Sequence, residues 1–261
     1  MKPIYHIFNF RLASYGSLIA LGMGLGILVY WYRKKDYPED KEEMLYSFIF
    51  GVIGGFIGAK LLYLITDFRF IVESFKNTSD FWLTLRSVIE GGYVFYGGII
   101  GAIFGLYVYA KKYKLSLINI TDSLAPELPL AHAFGRLGCF MAGCCYGIPW
   151  NGKFAVIFPK ESVGLSGVKL FPVQLLCSVS NLALFVILFI YSKKQREKGK
   201  VTGLYIILYG IGRFLIEFLR YDDVRGHLLY FSTSQWISIM LVPLGILLFK
   251  KGESLCKKKE I

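Results

Sequence analysis

Tyr209, Arg213, Glu217 and Arg220 follow one another at separations of 4, 4 and 3 residues within an apolar stretch. At 3.6 residues per turn they share one helix face. His132 and Arg136 form a second set, four residues apart in His132-Ala-Phe-Gly-Arg136-Leu-Gly-Cys139-Phe. A guanidinium is a planar fork that can donate two parallel hydrogen bonds to phosphate. Placed at the middle of a bilayer, a charge costs roughly 2.5–3.5 kcal/mol on insertion scales, so it marks a site by default. Two such arginines predict a bound anion, and in lipid the obvious anion is a phospholipid phosphate. On the competing reading, Arg213 and Glu217 are an ion pair that joins helices. His132 reads either as a hydrogen-bonded core residue or as a proton acceptor in its neutral form.

The elements that must position these groups are membrane helices. The chain has 261 residues, 55% of them hydrophobic, gathered in long runs and not in alternation. Runs of about 18 or more apolar residues read as spans. They cover residues 12–31, 45–66, 93–110, 173–192, 201–219 and 231–249, and 124–146 is a less pure seventh. The expected fold is all-α: a polytopic membrane protein of seven transmembrane helices in a single integral membrane domain, 1–261. The first run does not read as a cleavable leader. Only Lys2 and Arg11 precede it, no small-residue cleavage site follows, and Arg33-Lys34-Lys35 comes directly after.

Net charge is +12, but the basic residues lie in short loops between apolar runs. The positive-inside rule and anionic headgroups account for them, and nucleic acid is not an expected partner. With the N-terminus outside and the C-terminus cytoplasmic, the inside clusters are Arg33, Lys34, Lys35 and Lys41; Lys111, Lys112 and Lys114; Lys193, Lys194, Arg196, Lys198 and Lys200; and the tail from Lys250. The clusters at 111–114 and 193–200 both belong inside, so an even number of crossings separates them. That makes 124–146 a crossing, with Pro126 and Pro129 predicting a break that only protein or water can surround. Tyr15, Tyr96, Lys60, Arg213, Glu217 and Arg220 then sort to the outer half, as does a polar cavity.

Glycine pairs at Gly51/Gly55, Gly54/Gly58 and Gly97/Gly101/Gly105 predict close helix packing. The denser run Gly91-Gly92-Tyr-Val-Phe-Tyr96-Gly97-Gly98 predicts a turn whose amides could meet an anion. Stretches 67–92 and 148–172 read as extracytoplasmic arms or loops. Cys139, Cys144 and Cys145 match no zinc spacing and read as small buried residues, with thiol–disulfide chemistry as the sharper alternative.

Taken together, these residues resemble the prolipoprotein diacylglyceryl transferases of bacterial inner membranes. The likeness rests on Ser14-Tyr15-Gly16, on 91–98, on Gly135-Arg136-Leu-Gly138-Cys139-Phe140, on Phe171-Pro172-Val-Gln174, on 209–220 and on Ser232-Thr-Ser-Gln235-Trp236. It implies multi-pass residence in the inner membrane. It also implies transfer of a diacylglyceryl group from phosphatidylglycerol to the lipobox cysteine of a preprolipoprotein, with no metal or cofactor. Arg136 and Arg213 correspond to the family's essential arginines, and Tyr15, Tyr209, Glu217, Arg220, Gly97 and Gly98 to substrate-binding positions. The chain departs from the family in carrying Tyr96 where a histidine is usual, Cys139 for an asparagine and Lys60 for an arginine. His132 or the Tyr96 hydroxyl is therefore the expected proton acceptor. The alternatives are a lipid or anion transporter, for which no repeated halves are visible, and a paralogue acting on another lipid or acceptor.

Overall fold

The computed structural model describes the backbone of residues 4–7, 10–33, 41–78, 80–160, 162–194, 196–221 and 227–257. Side chains are described over 14–33, 45–78, 80–160, 162–194, 196–221 and 229–252. Lys2, Lys34, Lys35, Lys258 and Lys259, which enter the charge pattern, lie outside the described residues.

Ten helices carry the described fold: α1 (Ser14–Arg33), α2 (Lys41–Thr66), α3 (Phe68–Lys76), α4 (Phe81–Glu90), α5 (Phe95–Lys112), α6 (Leu117–Leu124), α7 (Glu127–Ala142), α8 (Val173–Ser192), α9 (Lys200–Glu217) and α10 (Thr233–Lys257). Three antiparallel two-stranded pairs accompany them: Ile4–Ile7 with Phe10–Ala13 ahead of α1, Val156–Ile157 with Lys169–Leu170 between α7 and α8, and His227–Leu228 with Phe231–Ser232 between α9 and α10. The fold is all-α in its main elements, and several helices are apolar enough to cross a membrane. Ser14–Arg33, Leu45–Thr66, Val173–Ser192 and Thr233–Gly252 each qualify alone. Phe81–Glu90 and Phe95–Lys112, bent by 66°, make a fifth if they form one span. The stretches expected at 45–66 and 173–192 recur with those bounds, whereas α1 starts two residues late because Leu12 and Ala13 belong to the first hairpin.

α7 and α9 do not qualify, and these are the helices that hold Arg136 and Arg213. α7 has only 16 residues and carries Glu127, His132 and Arg136. α9 includes Lys200, Arg213 and Glu217 among its 18. The break foreseen in 124–146 falls between Leu124 and Glu127, at the fully buried Pro126. Pro129 sits in the first turn of α7, where its missing N–H costs no helical bond. The arm at 67–92 is the pair α3–α4, and that at 148–172 is a hairpin with loops, not a helix.

The chain divides into two compact units, Glu39–Ile120 and the remainder. Within Glu39–Ile120, α2 packs along α5 on the expected glycines. A Cβ at Gly54 or Gly101 would run into the opposing backbone carbonyl, as would one at Gly58 or Gly97. Lys60 reaches the end of α4 and donates to the carbonyls of Val88, Ile89 (3.1 Å) and Gly91 (2.5 Å), which a helix C-terminus leaves unpaired.

In the other unit α1 packs on α7, α7 on α8, α8 on α9 and α9 on α10. Arg33 ends α1 only 1% exposed, bonded to Glu127 at the start of α7 and to Ser192 Oγ at the end of α8 (2.7 Å). The sequence reading counts it as a loop cation, but Glu127, 94 residues away, draws it inside. Asp122 accepts from the Gly199 and Thr202 amides at 2.6 and 2.8 Å and from the Thr202 hydroxyl at 2.6 Å. It thus caps the start of α9 from a distant position.

Candidate active site

The α8–α9 packing, closed on one side by α7, leaves a cavity of about 310 Å³. His132 and Arg136 enter it from α7, Cys177 and Asn181 from α8, and Tyr209 and Arg213 from α9, with Leu184, Ile187, Leu208 and Ile216 as apolar wall. A cavity of this size with few convergent polar groups has the form of a ligand site. The two arginines singled out in the sequence face one space.

Their surroundings differ. Arg213 Nη2 pairs with Glu217 Oε2 at 2.6 Å and donates to Ser234 Oγ at 3.0 Å, while its buried Nη1 has no hydrogen-bond partner. Arg220 Nε stands 3.7 Å from the same Glu217 oxygen, and the Ser232 hydroxyl donates to Glu217 Oε1 at 3.0 Å. Ser232 in turn is locked into the first turn of α10, where its amide donates to Gln235 Oε1 at 3.0 Å and its hydroxyl accepts from the Gln235 amide at 3.2 Å. Arg136 donates through Nε to His132 Nε2 at 3.1 Å. Among the described residues no carboxylate pairs with Arg136. Glu217 thus pairs with Arg213 and Arg220, while Arg136 brings its positive charge to a mostly apolar cavity wall without a carboxylate partner among the described residues. The ion-pair reading of Arg213 and Glu217 holds as geometry, and it leaves Arg136 available to an anion.

The imidazole of His132 accepts from Arg136, so its Nε2 lone pair is engaged. Its ring lies 5.7 Å from that of Tyr209, which stacks at the same distance on Tyr205. Tyr15, second residue of α1, abuts α7 at Gly138, where an added Cβ would sit 3.1 Å from Tyr15 Cα. Tyr96, Gly97 and Gly98 open α5 in the other unit. There Gly97 is consumed by packing on Gly58 and Leu62. The amides of Gly91, Val94 and Gly98 are committed to the Ser87, Ala59 and Val94 carbonyls, so these three do not form the open anion-binding turn that the glycine run predicts.

Sequence reasoning missed Asn181 and the positioning of α10. Asn181 gives Nδ2 to Cys177 O at 2.8 Å and keeps a buried Oδ1 without a hydrogen-bond partner. An asparagine in an otherwise apolar run was the available signal.

Residues 2–250 match the prolipoprotein diacylglyceryl transferase family. The chain is 36% identical over 250 residues to the phosphatidylglycerol–prolipoprotein diacylglyceryl transferase of Clostridium tetani, covering 95% of this chain and 97% of that protein. It is 40% identical over 245 residues to the enzyme numbered 2 in Clostridium perfringens, covering 93% and 92%. A relative from Fervidobacterium nodosum is 32% identical over 248 residues, covering 93% and 82%. On that match over nearly its whole length, the chain belongs to the prolipoprotein diacylglyceryl transferase family.

Proposed function

We propose that this chain transfers the diacylglyceryl group of phosphatidylglycerol to the lipobox cysteine thiol of a preprolipoprotein, the first step of lipoprotein lipidation. The observation that carries the reading is the pair Arg136 and Arg213 in one apolar-walled cavity, Arg136 without a carboxylate partner among the described residues and Arg213 with a buried Nη1 that no hydrogen bond uses. Phosphatidylglycerol offers a monoanionic phosphodiester flanked by acyl chains, which suits that combination.

Arg136 and Arg213 hold the phosphodiester and stabilise the charge that grows as glycerol phosphate departs. Donors fixed before the reaction begins supply most in a site that excludes water. Glu217 holds Arg213 and Arg220 in place, and Tyr209 and Tyr15 border the lipid. His132, engaged with Arg136, acts as a positioning residue for the arginine. That leaves the acceptor of the thiol's proton outside the groups that line this cavity. The sulfur attacks the glyceryl carbon, its C–O bond to phosphate breaks, and a thioether forms. Seven crossings of the inner membrane, N-terminus outside, complete the reading. The short α7 and charged α9 count as spans because their polar groups face protein.

The test is transfer of diacylglyceryl from phosphatidylglycerol vesicles to a lipobox peptide by the purified chain. Wild type should modify the peptide, while Arg136→Ala and Arg213→Ala should not. A folded wild type that modifies nothing, or two fully active variants, overturns the reading.

A further inference from the structure

α7 and α8 run antiparallel, and two hydrogen bonds fix their register. Gln174, at the head of α8, donates Nε2 to Cys144 O at 2.8 Å, just past the end of α7. One turn further along α8, the Ser178 hydroxyl donates to Ala133 O at 3.0 Å. Each step along α8 therefore moves back along α7, by about 1.5 Å per residue. Ser180 and Asn181 fall on the His132 side of Arg136. α9 runs antiparallel to α8 in turn, since Leu184 and Leu188 pack with Val201, Leu204 and Leu208 near its start. Tyr209 precedes Arg213 by one turn, as His132 precedes Arg136.

The cavity lining is thus layered. Arg136 and Arg213 form one level. His132, Ser180, Asn181 and Tyr209 form the next, and Leu184 and Ile187 follow one and two turns beyond Ser180 on α8. A phospholipid presents the same order of chemistry: phosphate, ester groups, acyl chains.

Within the second level, half-buried Ser180 lines the cavity, and its hydroxyl makes no hydrogen bond among the described residues. A helical serine ordinarily returns its hydroxyl to the carbonyl three or four residues back. Ser87, Ser192 and Ser238 do so. For Ser180 the carbonyl three residues back is that of Cys177, and Asn181 Nδ2 takes it at 2.8 Å. A carbonyl has two lone pairs, and the helix uses the other for the Asn181 amide. Asn181 thereby closes the nearer return path. A hydroxyl without a partner in an apolar enclosure is costly, so it marks a place where a ligand supplies the acceptor.

We propose that the Ser180 hydroxyl donates to an ester carbonyl of the bound lipid and makes the site select ester-linked over ether-linked phosphatidylglycerol. The proposal rests on the transferase reading above. Arg136 and Arg213 recognise the phosphodiester, which both lipids share, and so cannot tell them apart. An ester carbonyl accepts a hydrogen bond well, and the methylene that replaces it in an ether lipid accepts none. Neither ester takes part in the bond changes of transfer, so Ser180 acts on specificity. Asn181 is a positioning residue for it.

The experiment uses the full-length chain in detergent, a lipobox peptide, and diacyl and dialkyl phosphatidylglycerols of equal chain length at matched mole fractions. Wild type is expected to show kcat/KM about 10-fold higher for the diacyl lipid, the worth of one good hydrogen bond. Ser180→Ala should bring that ratio near one, chiefly by losing turnover of the diacyl lipid. Ser180→Thr keeps the hydroxyl and should keep the preference. Asn181→Ala frees the Cys177 carbonyl for Ser180 and should lower the ratio. Circular dichroism checks the folding of each variant. A packing role for Ser180 would lower turnover of both lipids alike and leave the ratio unchanged. A wild-type ratio near one, or a ratio that Ser180→Ala leaves unchanged, overturns the inference and leaves the transferase reading standing. If folded wild type transfers neither lipid, the transferase reading falls, and the thermal-unfolding shift that each lipid causes decides instead. A larger shift with diacyl lipid that Ser180→Ala abolishes supports the ester contact, and equal shifts in wild type overturn it.

Discussion

One turn apart on α7, Arg136 Nε donates to His132 Nε2 at 3.1 Å. The arginine is aimed by an imidazole and not by a carboxylate, so it keeps its full charge for a ligand. This separates a positioning histidine from a basic one. Gln can accept the same bond, whereas Leu cannot. His132→Gln should therefore retain most of the transfer rate, and His132→Leu should lose about 100-fold through a misplaced guanidinium. Equal loss in both variants, together with disappearance of the acidic limb of the pH–rate profile, would assign His132 the base role instead.

Arg136→Lys tests what the fork itself contributes. A lysine keeps the charge but gives up planar bidentate donation. The expected fall in kcat is about 10-fold for Arg136→Lys and about 100-fold or more for Arg136→Ala. Steady-state kinetics on phosphatidylglycerol vesicles should place most of the loss in kcat and less in KM.

Glu217 is the one carboxylate that Arg213 and Arg220 share, and the Ser232 hydroxyl also bonds to it. Glu217→Ala removes the carboxylate partner of Arg213 and the acceptor of the Ser232 hydroxyl in a buried setting, where breaking such a pair costs about 3–5 kcal/mol. Glu217→Gln keeps an acceptor for Ser232 and should cost less. Thermal unfolding in detergent should rank wild type above Gln and Gln above Ala.

The α2–α5 seam predicts opposite outcomes for two glycines. Gly101→Ala drives a Cβ into the Gly54 carbonyl and should destabilise by about 1–3 kcal/mol. Gly24 in α1 meets nothing within 4 Å, so Gly24→Ala should be neutral or stabilise by about 0.5–1 kcal/mol. Thermal unfolding midpoints of the two variants decide it.

Much of the positioning was legible in one dimension. The spacing of Tyr209, Arg213, Glu217 and Arg220 follows from helical period alone, as does that of His132 and Arg136. The structure keeps both sets, with Glu217 closing α9 and Arg220 just beyond it. The break at Pro126 was visible because proline removes a backbone donor. The seam between α2 and α5 was visible because glycines at every fourth position make a groove. Arg33 was misplaced for the opposite reason: a basic residue beside Lys34 and Lys35 looks like a loop cation until Glu127 is brought to it. The glycine run 91–98 has the composition of an anion-binding turn, yet the Gly91 and Gly98 amides bond to carbonyls four residues back and the Val94 amide to the distant Ala59 carbonyl.

The sequence by itself determined that apolar helices exist, which of their faces carry charge, and that two arginines fall within apolar stretches. Each follows from composition and a period of 3.6 residues, which are local properties. Only the tertiary structure decided that Arg136 and Arg213 open on one cavity, that a single carboxylate serves two guanidiniums, and that Cys139, Cys144 and Cys145 meet. Those outcomes depend on helix depth, on caps such as Asp122 at the start of α9, and on left-handed residues at a helix end. All of these are set by contacts between distant segments, and no local pattern encodes them.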